Sequence, residues 1–271
     1  MNLGNGATES PTVETYDPQF FAQIATVEDR HFWFCARNRV IGAAVQRVVS
    51  RLPAGYRVLE VGCGTGGVLR QLVEVCEHGQ VRGMDIFPEA VAFASRRAAC
   101  PVIQGDFLNS PVLERSDVVG MFDVLEHLPN DQAVLRSVNR LLPVGGWALL
   151  TVPAHRALWS YFDVSARHCR RYEADELAEK IKEAGFRVEF LTHFMMSIFP
   201  LVWLSRRLRG GERSMEENVA AKKASAELKI VPGINALLKL TLGLEAAWVG
   251  GQRRLPFGTS LLVVARKETD A

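Results

Sequence analysis

The stretch Val58-Leu59-Glu60-Val61-Gly62-Cys63-Gly64-Thr65-Gly66-Gly67 decides the fold. A β-branched, apolar run that carries one acid and then runs into closely spaced glycines is the pattern of a buried strand turning tightly into a helix. Glycine has no Cβ, so these positions accept positive φ and let the backbone approach a ligand closely. The N–H groups opening the next helix then face the crevice outside the strand end. That geometry suits a nucleotide-like ligand.

The glycines alone leave the ligand open. Gly62, Gly64 and Gly67 also satisfy the G-x-G-x-x-G spacing of a dinucleotide site, and Asp85 follows at about the 20-residue distance where such a site places its ribose acid. The acids separate the two readings: Glu60 lies within the first strand, Asp85 closes a second (VRGMD), and Asp106 closes a third (PVIQGD). An acid in the turn repels a pyrophosphate and attracts an ammonium group. Glu60 therefore favours a ligand with a cationic end.

On these residues the chain resembles the class I S-adenosylmethionine-dependent methyltransferases, whose first motif, acid-x-G-x-G-x-G, is matched by Glu60, Gly62, Gly64 and Gly66. The resemblance implies S-adenosyl-L-methionine as methyl donor. It places Glu60, Gly62, Cys63, Gly64 and Gly66 around the methionine portion, Asp85 at the ribose, and Asp106 with Phe107 at the adenine, with Ile86 and Phe122 completing the cofactor site. The chemistry agrees, since one carboxylate can accept from two ribose hydroxyls and another from an exocyclic amine.

Length and composition are consistent with one substantial core: 271 residues, 48% apolar. With 32 basic against 30 acidic residues there is no electrostatic footprint for nucleic acid. Five scattered cysteines without C-x-x-C spacing define neither a zinc site nor a disulfide framework. The polar segment 1–18 reads as a disordered lead-in without a basic-then-apolar leader, so a cytoplasmic location is expected, with contact at the inner membrane face as the variant.

Candidate strands at 57–61, 81–85, 102–104, 118–122, 147–152, 187–193 and 260–265 alternate with helical patterns. The expected fold is α/β: a Rossmann-like, seven-stranded, mostly parallel sheet with helices on both faces. An N-terminal helical segment precedes the sheet, and a helical cap is inserted before the last strand. The methyltransferase domain is expected at 19–193 and 257–267, and the cap at 194–256.

The helical stretch 26–52 carries Phe32, Trp33 and Phe34, then Arg37 and Arg39. It is similar to the aromatic-plus-arginine helix that covers the cofactor in many small-molecule methyltransferases. By that resemblance Arg37 pairs with the cofactor carboxylate and Trp33 borders the acceptor, although an aromatic stripe at helical spacing serves equally well as core.

After the fourth strand, MFDVLEHLPN places Asp123, Glu126 and His127 at i, i+3 and i+4, one face of a helical turn. It resembles an acid-x-x-E-H motif that some ubiquinone-pathway O-methyltransferases use for a divalent metal. Three residues are few for a dedicated cage, and no metal site is assigned.

The stretch VPAHRALWSYFDVSARHCRRYEADEL, residues 152–177, lies beyond the fifth strand on the ligand side. It resembles a group of bacterial methyltransferases with the pattern P-A-H-x-x-L-W-S-x-x-D-x-x-x-x-H-x-R-R-Y, a likeness that extends over most of 28–266. His127, His155 and His168 are the candidate bases. Asp163 could orient a histidine, Arg170 and Arg171 could hold an anionic part of the acceptor, and Trp159, Tyr161 and Tyr172 could line its pocket.

The expected reaction is methyl transfer to a small-molecule acceptor, at oxygen. The apolar run 194–204 followed by arginines through Arg209 is too short to span a bilayer and reads either as a lid or as a membrane-interface segment. In the second case the enzyme would act peripherally on a lipid-linked glycan precursor. A nicotinamide-dependent oxidoreductase and a non-catalytic cofactor-binding regulator are the remaining alternatives. The charged stretch 210–229 reads as a hinge running into a solvated helix, and 234–248 as a further helix.

Overall fold

Runs of β-branched and apolar residues buried on both faces form the centre of one sheet, in a computed structural model that describes residues 19–109, 114–208 and 216–269. The lead-in 1–18 and Arg209 lie outside the described residues. The strands are β1 (Arg57–Val61), β2 (Gln80–Asp85), β3 (Val102–Gln104), β4 (Val118–Phe122), β5 (Trp147–Pro153), β6 (Phe186–Phe194) and β7 (Ser260–Lys267). Their order is β3-β2-β1-β4-β5-β7-β6, with β7 antiparallel to both of its neighbours and the other pairings parallel. The expected seven-stranded, mostly parallel sheet is therefore present. Strand order reverses between β1 and β4, which opens a crevice at their carboxyl ends.

Two cores flank the sheet. On one side α2 (Phe32–Val49), α3 (Gly67–Val75) and α10 (Pro232–Gly250) bury Ile41, Leu69, Leu72 and Leu242. On the other, α5 (Asp131–Leu141) and α7 (Ala174–Glu183) bury Leu135, Val138, Leu177 and Ile181. Local signals set these helices: Asn130 accepts from the Ala133 N–H at the start of α5, and Gly185 at φ +83° follows the end of α7. Pro88 opens α4 (Pro88–Arg97) from its first turn.

The N-terminal segment divides into α1 (Gln19–Val27) and α2, separated by the polar turn Glu28 to His31. The insertion before β7 contains α8 (Phe199–Leu208), α9 (Glu217–Glu227) and α10. The expected solvated helix needs correction. Ala220 and Ala224 of α9 are buried against Tyr161 of α6 (Tyr161–Ser165), because alanines four apart leave a smooth face that an aromatic ring can cover. Asn235 ties the insertion to the N-terminal helices, accepting from the Phe32 N–H at 2.8 Å and donating to the Arg30 carbonyl at 2.9 Å.

At Gly66 the β1–α3 turn runs against backbone: its φ is +83°, and a Cβ there would lie 2.8 Å from the Ala94 Cα of α4. A Gly66→Ala substitution is expected to destabilise the fold by about 1–3 kcal/mol through backbone strain alone. A lowered urea midpoint with an unchanged m-value would show it.

Candidate functional site

The end of β1 delivers Glu60, buried beside the glycine turn, with its Oε2 lacking a hydrogen-bond partner. Burial pushes the Glu60 carboxyl up to about 8, against the pull of the Arg37 guanidinium and with a further upward push from Asp85. The end of β2 delivers Asp85, which accepts from the Gly64 N–H at 2.8 Å and the Phe87 N–H at 3.0 Å and so ties the glycine turn to the strand. Burial raises the Asp85 carboxyl and these backbone bonds oppose the shift. Ile86 beside it is exposed, and Gly62 and Cys63 donate their N–H groups to the Met84 carbonyl.

The Cys63 thiol is turned into the protein towards Gly83, so this position offers the crevice backbone only, and burial pushes its pKa upward. Asp106 caps its own loop, accepting from the Leu108 N–H at 2.9 Å and Asn109 Nδ2 at 2.7 Å, with Phe107 packed on the core beside it. Phe122 is buried and turns its ring under Gly120, leaving its carbonyl at the crevice. Overhead, α1 brings Phe21 to 5.7 Å from Phe87, and the α1–α2 turn is bolted to the glycine turn. Glu28 accepts from Thr65 Oγ1 at 2.6 Å and pairs with Arg97, while Asp29 pairs with Arg97 at 2.9 Å and Arg70 at 2.8 Å. These two acids were not singled out from the sequence, where a Glu-Asp pair in a polar turn reads only as solvated charge.

The end of β4 differs from the expected helical turn. Asp123 has φ +56°, and only Leu125–His127 forms a 3₁₀ turn, so Asp123 does not share a face with Glu126 and His127. Its carboxylate pairs with Arg37, which also donates from Nη2 to the Phe122 carbonyl at 2.7 Å and stacks over Trp33 at 5.5 Å. Arg37 thus bridges the strand ends, with Glu60 on one side and Glu126 on the other.

His168 takes the place expected of Asp123. Its ring lies 4.7 Å from that of His127, edge to face, and its Nε2 is 4.0 Å from Glu126 Oε1. Glu126 is fully buried, both of its oxygens lack hydrogen-bond partners, and burial with the nearby Asp123 raises its carboxyl. Ligand atoms of Glu126, His127 and His168 lie within 4.8 Å of one another, close enough to converge on one cation.

Asp163 orients His168. It accepts from His168 Nδ1 at 2.9 Å, Arg171 Nε at 2.7 Å and the Ser160 N–H at 2.8 Å. Burial alone would raise this carboxyl, but His168 and Arg171 hold it at about 2. An ionised Asp163 requires the Nδ1–H tautomer, which leaves Nε2 directed to the Glu126 side.

Other residues of 152–177 are used structurally. Arg170 pairs with Asp131 at 2.8 Å, and Arg171, paired with Asp163, also donates to the Ala154 carbonyl at 3.1 Å, so each guanidinium is engaged by an acid of the chain. Tyr172 is buried on Asp131, and Tyr161 is buried against α9 with its hydroxyl on Glu227. His155 pairs with Glu173 and stacks on His193 at 5.0 Å, apart from the His127–His168 pair. Trp159 is half-buried beside this loop.

A family model described as a methyltransferase domain matches residues 33–190, and the chain belongs to this family. Its fold is that of the class I S-adenosylmethionine-dependent methyltransferases. The Mycobacterium tuberculosis "Probable S-adenosylmethionine-dependent methyltransferase" is 31% identical over 189 residues. That match covers 68% of this chain and 66% of the relative, a little under two thirds of its length. The Escherichia coli ubiquinone biosynthesis O-methyltransferase is 29% identical over 180 residues, 61% of this chain and 74% of that protein. Among solved structures, a chain from the Haloferax volcanii complex of the Trm112 methyltransferase activator with a methyltransferase aligns over 95% of this chain and 98% of its own. Its TM-score is 0.59 at 18% identity, a likeness of fold alone.

The donor site fits S-adenosylmethionine on an observation independent of these relatives: a buried, unpartnered carboxylate at Glu60 suits an ammonium group. Because free Glu60 is protonated below about pH 8, binding an ammonium there releases a proton. Affinity for S-adenosylhomocysteine is expected to rise from pH 6 to 8, by at most about tenfold per unit. Calorimetry in buffers of different ionisation enthalpy would show the released proton. Glu60→Gln should remove the pH dependence and weaken binding by about 1–3 kcal/mol.

Proposed function

We propose that the protein methylates a small-molecule acceptor at oxygen, with His168 as the general base. The observation that supports this reading is the buried Asp163–His168 pair, which holds imidazole Nε2 in a fixed tautomer beside Glu126 and the carboxyl end of β4. A hydroxyl is a poor nucleophile until its proton leaves, so O-methylation gains most from such a base. The donor supplies an electrophilic methyl group on a sulfonium. His168 Nε2 takes the hydroxyl proton as the oxygen bonds to the methyl carbon, the C–S bond breaks, and its electron pair stays on sulfur. Arg171 and Asp163 fix the imidazole in place for that transfer. The similarity to an O-methyltransferase agrees with this reading.

One observation favours a second form of the same reaction. Both Glu126 oxygens are unpartnered beside the two imidazoles, a donor set for a divalent cation that would acidify the hydroxyl directly.

Incubation with methyl-labelled donor and host extract, followed by identification of the product, tests the acceptor class; a labelled amine or protein would count against it. With the acceptor in hand, His168→Gln is expected to lower turnover by about 100- to 10,000-fold and to leave S-adenosylhomocysteine affinity unchanged within about twofold. Loss of activity on chelation and its return with Mg²⁺ or Mn²⁺ would select the cation-assisted form.

A further inference from the structure

The insertion leaves an apolar surface that the methyl-transfer site does not use. The inner face of α10, with Leu242, Ala246 and Val249, packs into the core. Its outer face carries Ile234, Leu237, Leu240 and Leu244, each 60–68% exposed, and then Trp248. At 100° per residue these five positions fall within an arc of roughly 120°, one continuous stripe along the helix. The neighbouring α8 buries none of its residues and exposes Leu201, Leu204 and Leu208 at i, i+3 and i+7. The base of α8 is tied to α10: Glu245 of α10 accepts from the Met196 N–H just before α8, and Val202 of α8 and Leu238 of α10 pack on the same core. This surface adjoins the catalytic side of the sheet, since Phe199 of α8 lies 5.5 Å from His155 beyond the end of β5.

Charge is segregated around this stripe. Whereas the whole chain is nearly balanced, residues 194–208 and 228–257 contain Arg206, Arg207, Lys229, Lys239, Arg253 and Arg254 against a single acid, Glu245, which is buried. Arg206 is turned inward onto Glu227 and Tyr161, Lys239 lies on the side of α10 away from the stripe, and Arg254 reaches over Phe190, while Arg207 and Arg253 stay with the exposed indoles. Arg207 lies over Trp203 at 5.3 Å and Arg253 over Trp248 at 4.4 Å. Indoles and arginines beside exposed leucines match the layered polarity of a bilayer interface, acyl boundary below and anionic headgroups above.

We propose that α10 and α8 dock the protein on an anionic lipid surface, lying in its interface. No single helix among the described residues is long and apolar enough to cross a membrane. A second copy fits this face less well, because a two-fold contact would bring the same cations against one another. The sequences of segments 1–18 and 209–215, MNLGNGATESPTVETYDP and RGGERSM, are polar and carry no apolar stripe to match this face. The proposal stands independently of the acceptor's identity.

Flotation of the full chain with mixed phosphatidylcholine–phosphatidylglycerol vesicles, against pure phosphatidylcholine vesicles, tests it. Binding is expected to be about tenfold or more stronger on the anionic vesicles and to fall with added salt. Leu240→Glu with Leu244→Glu, both at exposed positions, should lower flotation about tenfold while leaving the melting temperature and S-adenosylhomocysteine affinity unchanged. Arg253→Glu with Arg254→Glu should remove the anionic preference. Absence of flotation, flotation indifferent to salt, or flotation retained by the leucine variant would each overturn the proposal. So would a wild-type dimer in sedimentation velocity that the leucine variant dissolves. Should the leucine variant fail to fold, the salt and lipid dependence of the wild type still decides.

Discussion

The bond between Arg37 and Asp123 is the contact on which both halves of the crevice depend. Four carboxylates, Glu60, Asp85, Asp123 and Glu126, gather at the ends of β1, β2 and β4 and beyond, and all but Asp123 are buried. Burial and mutual repulsion push Glu60 and Glu126 towards their neutral forms, and Arg37 opposes that push at both. By pairing with Asp123 and bonding the Phe122 carbonyl, this guanidinium acts on both Glu60 and Glu126. Its bifurcated geometry permits what a lysine point charge would do less well, holding a carboxylate and a carbonyl at once.

That role alters the meaning of the N-terminal helices. Arg37 belongs to α2, whose outer side is packed by α10, and α1 runs over the glycine turn through Phe21. The insertion and the N-terminal segment, distant in sequence, therefore form one cover joined through Asn235, and the cover contributes a charge to the site. An ion-pair network of Glu28 and Asp29 with Arg97 and Arg70 fastens this cover to the glycine turn. The outer members of that network are half-exposed and contribute little alone. The buried Glu28 carries more of the attachment, since breaking its bond to Arg97 would strand a charge away from water.

The sheet was legible in the sequence because its signals are local. Val58 to Gly67 holds a strand, a turn and a helix start within ten positions, and each later strand is a short apolar run bounded by Gly, Pro or Asp. Glu60, Asp85 and Asp106 were legible for the same reason, as each lies at or close to the carboxyl end of a strand. The cluster around His168 was less so. His168 could be named as a titratable residue in a polar loop, but its meeting with Glu126 and His127 depends on how two loops fold together. Arg170 and Arg171 looked like anion-binding groups, yet their partners Asp131 and Asp163 fold back onto them. In Asp123, a non-glycine residue at positive φ, local patterning pointed the wrong way, because the helical spacing it shares with Glu126 and His127 is broken by a strained backbone turn.

Strain of this kind recurs where strands deliver chain to the ligand side. Asp123 after β4, His155 after β5 and Met195 after β6 all have φ near +60°, a conformation that disfavours ordinary side chains by about 1–3 kcal/mol each. Each is followed by a segment that leaves its strand abruptly: the Leu125–His127 turn, the loop carrying Asp163 and His168, and the start of α8. A relaxed exit would prolong the extended chain and carry these segments away from the strand ends. The strained exits instead bring the Glu126 carboxylate, the loop that holds His168 and the base of α8 towards the same rim of the sheet. The sheet supplies the rigidity that sustains the strain, through fully buried neighbours such as Met121 and Val152. The Glu126–His127–His168 cluster is thus assembled from turns whose geometry the strands impose, while Glu60 and Asp85 are built into the strands themselves.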